Sequence, residues 1–210
     1  MVAAGGPDEF LERYAVVLCS DHGQTSVTEA ASLEAPLRRV DDVIVTASNR
    51  AGQIYRLPGC RLEPAELALL LDDEPAAEVT LFRDGEEAVA RRQGDELRFA
   101  PAGAGWRMHG DPRVLDQPDA LGRAWSALAN PNAGDVLVSA APGWEFADLA
   151  GRHHAGGGSH GSLTAGDSVV PMLAVGVESF PTRITEVAQA VLDHFGVEPR
   201  PSARPFAHAG

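Results

Sequence analysis

Two short stretches of this 210-residue chain carry residue types able to do chemistry together. The first is Asp21-His22-Gly23, set directly behind the apolar run AVVLCS, from Ala15 to Ser20. A carboxylate beside an imidazole is an oxygen and nitrogen donor pair suited to zinc or a similar divalent ion. Neighbouring side chains on an extended strand point to opposite faces, so a shared ion needs the chain to turn there, and Gly23 permits the turn. The alternative is a solvated loop in which neither side chain has a task. The second stretch, GRHHAGGGSHGS, sets His153, His154 and His160 among Gly151, Gly156, Gly157, Gly158 and Gly161. Glycine lets backbone approach a ligand closely and lets a histidine be aimed freely; the alternative is a surface loop with idle histidines. Thr25 and Ser26 are the hydroxyls nearest the Asp-His pair, and Thr25 is the candidate nucleophile within the chain. Asp167, His153 and His154 are available for substrate contact, whereas His109, His194 and His208 read as surface residues.

The elements that must position these residues follow from pattern. AVVLCS is short and continuously apolar, which suits a strand buried on both faces, and places Asp21 and His22 at its carboxyl end, where α/β folds collect their sites. DVIVTAS and GQIYRL, around Asp42–Ser48 and Gly52–Leu57, read as a hairpin about NRAG. Pro64 opens a helix ending near Asp73. Between Glu78 and Ala100, three strand-like segments separated by RDG and RQGD predict a small antiparallel sheet. A helix over 119–129, buried strands over 135–140 and 171–177, and an amphipathic helix over 184–196 complete the pattern, with a proline-rich tail behind them. The reading is an α/β domain with mainly parallel core strands and a small antiparallel subdomain. Its parts are 1–77 for the first part of the core, 78–115 for the insert, 116–197 for the second part of the core with the glycine-rich loop, and 198–210 for a flexible tail.

Composition narrows the function. Hydrophobic residues at 44% and charged residues at 22% describe a globular chain. Thirty acidic against 17 basic residues give a net charge of -13, which repels a nucleic-acid backbone. Bound cations would invert that sign locally, so small phosphate esters stay open. All the basic residues are arginine, a compositional bias and not a mechanism. Cys19 and Cys60 form no disulfide or zinc framework and read as buried thiols. No secretory leader and no membrane-spanning run is legible, so the expectation is a cytoplasmic protein with no membrane partner.

SDHG behind an apolar strand, followed far downstream by GSHG ahead of another, resembles the later half of the alkaline phosphatase superfamily, and is most similar to its type I phosphodiesterase/nucleotide pyrophosphatase branch. The resemblance spans about Tyr14 to Val177. It implies a partial alkaline-phosphatase-like sandwich and metal-dependent hydrolysis of phosphate mono- or diesters. It also implies two divalent ions, zinc with manganese or iron as alternatives. Asp21 and His22 would hold one ion and His160 the other. The family's earlier Asp ligand, its Thr or Ser nucleophile and a further Asp and His would all precede Asp21. On that basis the chain is a carboxyl-terminal half, its nucleophile lies upstream of Met1, and the chain alone is inactive. The expected partners are a small phosphate ester and either the missing amino-terminal half or another copy, through an exposed sheet edge. The alternative function is a non-catalytic metal-binding or interaction module built on the same scaffold.

Overall fold

A computed structural model describes residues 5–198. His208 and almost all of the predicted tail lie outside the described residues. In chain order the elements are α1 (Pro7–Arg13), β1 (Val16–Cys19), β2 (Thr25–Ala31), α2 (Glu34–Leu37), β3 (Val43–Ser48), β4 (Ala51–Arg56), α3 (Pro64–Leu69), β5 (Ala77–Asp84), β6 (Glu87–Arg92), β7 (Asp95–Ala102), β8 (Gly105–Gly110), α4 (Ala120–Leu128), β9 (Val136–Ala140), β10 (Gly143–Phe146), β11 (Gly158–Ser159), α5 (Ala165–Ser168), β12 (Met172–Val175) and α6 (Val187–His194). They divide into two compact units. One joins Met1–Asp21 to Val170–Gly210, and the other is His22–Val169.

The larger unit is organised by a seven-stranded sheet in the order β3-β4-β9-β5-β6-β7-β8, and every pairing in it is antiparallel. Short connections produce this. Ser48 pairs with Ala51 across Asn49-Arg50, Asp84 with Glu87, and Arg92 with Asp95. The last turn places Gln93 and Gly94 both at positive φ, the geometry that matches the twist of a two-residue hairpin.

Each face of the sheet is buried against different partners. Val45, Ile54, Phe82, Val89, Val136 and Val138 form one core with Leu33, Leu37, Leu67, Leu71 and Phe146. From the alternate positions, Val79, Leu81, Ala88, Ala90, Leu97 and Phe99 pack with Val114 and Leu115 of a 3-10 turn and with Ala120, Ala124 and Leu128 of α4. On the first face α3 starts on Pro64, with a capping box in which the Glu66 carboxylate accepts from the backbone N–H of Glu63 at 2.8 Å. A three-stranded sheet, β10-β2-β11, completes this unit; its β2–β10 pairing is parallel and its β2–β11 pairing antiparallel.

The smaller unit pairs β1 with β12 in a two-stranded antiparallel sheet. Leu18 and Leu173 lie opposite each other and are both 60% exposed. Among the described residues it also holds α1, α6 and a 3-10 turn at Ile184–Glu186.

The expectation of mainly parallel core strands is therefore corrected: the large sheet is antiparallel throughout, and β5 to β8, expected as a small antiparallel subdomain, are four of its seven strands. The physical reason lies in what an apolar run reports. Val136, Leu137 and Val138 are successively apolar because both sheet faces are covered, Val136 and Val138 by one core and Leu137 by the other. Two-sided burial is the rule for parallel sheets, yet an antiparallel sheet flanked on both faces reads the same way. AVVLCS errs differently, since its strand is half-exposed in a two-stranded sheet and not buried on both faces.

Candidate functional site

His22 opens the larger unit, and Asp21 ends the first segment of the smaller one. Within the larger unit the rings of His22 and His160 are stacked, with centroids 3.6 Å apart and planes 9° from parallel. Three local arrangements bring them there. Behind His22, the Gly23 N–H donates to the carbonyl of Asp167 at 2.8 Å. A Cβ on Gly23 would stand 2.0 Å from the Gly166 carbonyl oxygen, so only glycine allows the approach. Ahead of His160, β11 pairs Gly158 and Ser159 with Ser26 and Thr25 of β2, and the Val27 N–H reaches the Gly157 carbonyl at 3.1 Å.

The third arrangement is the β3–β4 turn. Asn49 sits at φ 56°, a left-handed conformation that asparagine tolerates. Its side-chain amide lies 3.2 Å from His160 Nε2, and its carbonyl accepts from the Phe146 N–H at 2.7 Å. The next N–H, that of Arg50, donates to the His160 carbonyl at 2.9 Å. Two residues of one turn thus hold His160 at both backbone and ring.

Beneath the turn the Arg50 guanidinium is wholly buried and meets the Asp167 carboxylate at 2.8 Å, with side-chain exposures of 0% and 1%. Buried charges are tolerated when paired and fully hydrogen-bonded. Arg50 also donates to the carbonyls of Trp144 and Ala141, both at 3.0 Å, and to the Thr164 hydroxyl. Asp167 accepts from the backbone and the hydroxyl of Ser162 and from the Thr25 hydroxyl. The Thr25 hydroxyl is thereby committed to Asp167, a carboxylate already neutralised by Arg50.

A second buried carboxylate supports the same loop. Glu145 is inaccessible and accepts from the His154 backbone N–H, while the His154 ring Nδ1 stands 3.1 Å from its other oxygen. Burial alone would raise this carboxyl, but the nearby Ser159 hydroxyl and the two His154 donors outweigh it and hold Glu145 below the usual carboxylate range. His154 keeps 60% of its side chain exposed. His153 instead accepts from the Ala155 N–H through its own Nδ1.

The donor chemistry of the paired histidines is partly that of a metal site. His22 Nδ1 lies 2.8 Å from the Gly23 carbonyl, an acceptor, which is the kind of contact that orients a ligating imidazole. His160 Nε2 has its lone pair on the Asn49 amide. Among the described residues no group of three His, Cys, Asp or Glu side chains converges on a point able to hold an ion. The donors are right in kind and short in number. No helix of the described residues is long and apolar enough to cross a membrane.

Asn49, Arg50 and Glu145 had no role in the sequence reading. Asn49 and Arg50 were read as a turn, and Glu145 lies between two aromatics, where its isolation in an apolar stretch was the available signal.

The family model of type I phosphodiesterase / nucleotide pyrophosphatase matches residues 2–163, well over half of the 210. The chain belongs to that family, and so to the phosphoesterase-type hydrolases, which are generally metal-dependent. Comparison with curated proteins finds no match. Comparison with solved structures likewise finds none.

Proposed function

We propose that this chain contributes one part of a two-metal site that hydrolyses phosphate mono- or diesters. The observation carrying the reading is the His22–His160 pair: two imidazoles from segments far apart in sequence, stacked at 3.6 Å inside a glycine-lined loop, in a member of a phosphodiesterase family. The family scheme assigns His22 with Asp21 to one ion and His160 to the other, and two-metal phosphoesterase sites hold their ions about 4 Å apart. Zinc suits these donors, with manganese or iron as alternatives. When bound, such ions neutralise the phosphoryl oxygens and activate the nucleophile. The chain's own residues position the rings: Gly23 and Asp167 fix the approach of His22, Asn49 and Arg50 fix His160, and the Asn49 amide yields the Nε2 lone pair when a ligand takes it. The nucleophile and the remaining ligands come from residues outside these 210.

The test is hydrolysis of a chromogenic phosphodiester with added zinc or manganese, by the chain alone and with the amino-terminal half of a family member supplied as a second chain. Turnover appears only in the combined sample, together with bound metal, and is lost in His22→Ala and His160→Ala. Metal-dependent turnover by the chain alone refutes the assignment of the nucleophile. The lack of a three-ligand group among the described residues favours a second reading, a non-catalytic module. It predicts that no combination restores turnover.

A further inference from the structure

Outside the histidine pair, the glycine-rich loop carries one more imidazole with a support built beneath it. The Glu145 side chain is 0% exposed, while His154 keeps 60% of its side chain in solvent. Both Glu145 oxygens are taken by that one residue, one by its backbone N–H and the other by ring Nδ1 at 3.1 Å. Although burial opposes it, these donors hold the carboxyl below the usual carboxylate range, so Glu145 is ionised at neutral pH. An ionised carboxylate only accepts, so Nδ1 is the donor and carries a proton; in the neutral ring the lone pair is therefore on Nε2. Among the described residues no protein group bonds to Nε2.

His153, the preceding residue, is the opposite case. Its Nδ1 accepts from the Ala155 N–H at 3.3 Å, so its lone pair is committed to backbone and its proton sits on Nε2. The chain around His154 is fixed as well. The Gly157 N–H closes a turn on the His154 carbonyl, and the Gly156 N–H donates to the Val27 carbonyl of β2, both at 2.8 Å. Gly156 holds φ 89°, which suits glycine. Ahead of the turn, Arg152 gives its Nε to Asp148 at 2.9 Å and keeps both terminal NH₂ groups on a side chain 82% exposed. An imidazole oriented through one nitrogen by a buried carboxylate, with the other nitrogen unbonded, has the form of a nucleophilic or general-base histidine.

We infer that His154 Nε2 is a phosphoryl acceptor, taking the group from an acyl phosphate or a phosphoramidate, an activity that does not draw on the phosphoesterase reading above. The Nε2 lone pair forms an N–P bond as the bond from phosphorus to the leaving oxygen or nitrogen breaks. The leaving group departs with that electron pair, as a carboxylate from the first donor and as ammonia from the second. The ring keeps its Nδ1 proton, and the positive charge it gains faces Glu145, which stabilises it. Arg152, the nearest cation along the chain, offers its NH₂ groups to the phosphoryl oxygens, which the net charge of -13 otherwise repels.

The intact 210-residue chain is incubated with phosphoramidate at neutral pH and sampled over time by peptide mass spectrometry in alkaline buffer, where phosphohistidine survives. His154 should be modified on the order of 10-fold faster than His153, His109 and His194, which serve as references within the same molecule. Phosphorus and nitrogen NMR should place the group on Nε2, and the neutral ring of the unmodified protein should carry its proton on Nδ1. Glu145→Gln keeps an acceptor for the His154 backbone N–H but turns an NH₂ toward Nδ1, which moves the ring proton to Nε2. The rate at His154 should then fall roughly 10-fold while the reference histidines react as before. Equal rates at His153 and His154, a phosphoryl group on Nδ1, or a neutral His154 ring with its proton on Nε2 would overturn the inference. So would a folded Glu145→Gln protein in which His154 reacts at the original rate. The comparison of His153 with His154 and the ring spectrum need no variant, so they decide the matter even if Glu145→Gln fails to fold.

Discussion

Removing Asp167 should cost the larger unit a large share of its stability, because it strands a buried cation. Arg50 and Asp167 are 0% and 1% exposed, so water cannot replace the lost carboxylate without opening the unit. Deleting one member of a buried pair typically costs about 3–5 kcal/mol. Asp167→Ala also leaves the Ser162 N–H and the hydroxyls of Ser162 and Thr25 without their acceptor, which favours the upper half of that range. For a protein of this size each kcal/mol lowers Tm by roughly 2–4 °C, so a drop on the order of 10 °C is expected. Urea unfolding followed by tryptophan fluorescence suits the question, since Trp106, Trp125 and Trp144 all lie within His22–Val169 and report that unit alone. The midpoint should fall with the slope unchanged. Replacing both partners with apolar residues, Arg50→Met with Asp167→Leu, should recover only the part of the loss that comes from the stranded charge, because the Ser162 N–H and the Trp144 and Ala141 carbonyls stay without their partners. A loss below about 1 kcal/mol for Asp167→Ala would refute the claim that this pair is sealed from solvent.

Gly23→Ala places a Cβ 2.0 Å from a backbone carbonyl oxygen that cannot yield, so it should destabilise by at least about 2 kcal/mol in the same urea assay. Gly52→Ala meets the Cδ1 of Leu33 at the same distance, a core side chain that can change rotamer where a backbone carbonyl cannot, and should cost less; equal losses would contradict the distinction. Glu145 has a folded pKa below its ordinary 4.5, so its contribution to stability is fully present above about pH 4.5 and is lost as pH falls through the lowered folded value. Glu145→Gln should therefore flatten the acid limb of a Tm-against-pH curve below pH 4.5, and an unaltered limb would count against the hold of His154 on this carboxylate.

The elements that local chemistry specifies were legible from sequence. The hairpin about Asn49 and Arg50, the helix opening on Pro64 and the strands between Ala77 and Ala102 stand where turn residues and periodicity put them. Strand direction was not legible, because Val136, Leu137 and Val138 announce cover on two faces and nothing about which neighbours supply it. His22 and His160 were legible as candidates from their setting, one behind an apolar run and one in a glycine-rich loop ahead of another, and the structure stacks the two rings. The supports were hidden for a different reason. Arginine in a turn is ordinarily solvated, and a carboxylate 117 positions away lets Arg50 be the largest fully buried side chain among the described residues.

The long sequence separations around His160 also set a schedule. The hairpins from β5 to β8 join near neighbours and can close as soon as each strand is made. The contacts that define the candidate site join Thr25 to Asp167 across 142 positions, Arg50 to Asp167 across 117 and Asn49 to His160 across 111. Synthesis proceeds from the amino end at about 5–20 residues per second. The turn that will hold His160 therefore waits several seconds for the residue it holds. Until then Arg50 is a cation with no counter-ion in the nascent chain's interior, and it stays in water. The β3–β4 hairpin and the β5–β8 strands can each form early, but β9, which joins them, comes only at Val136–Ala140, and the ground beneath the histidine pair is sealed later still, after Asp167 has emerged.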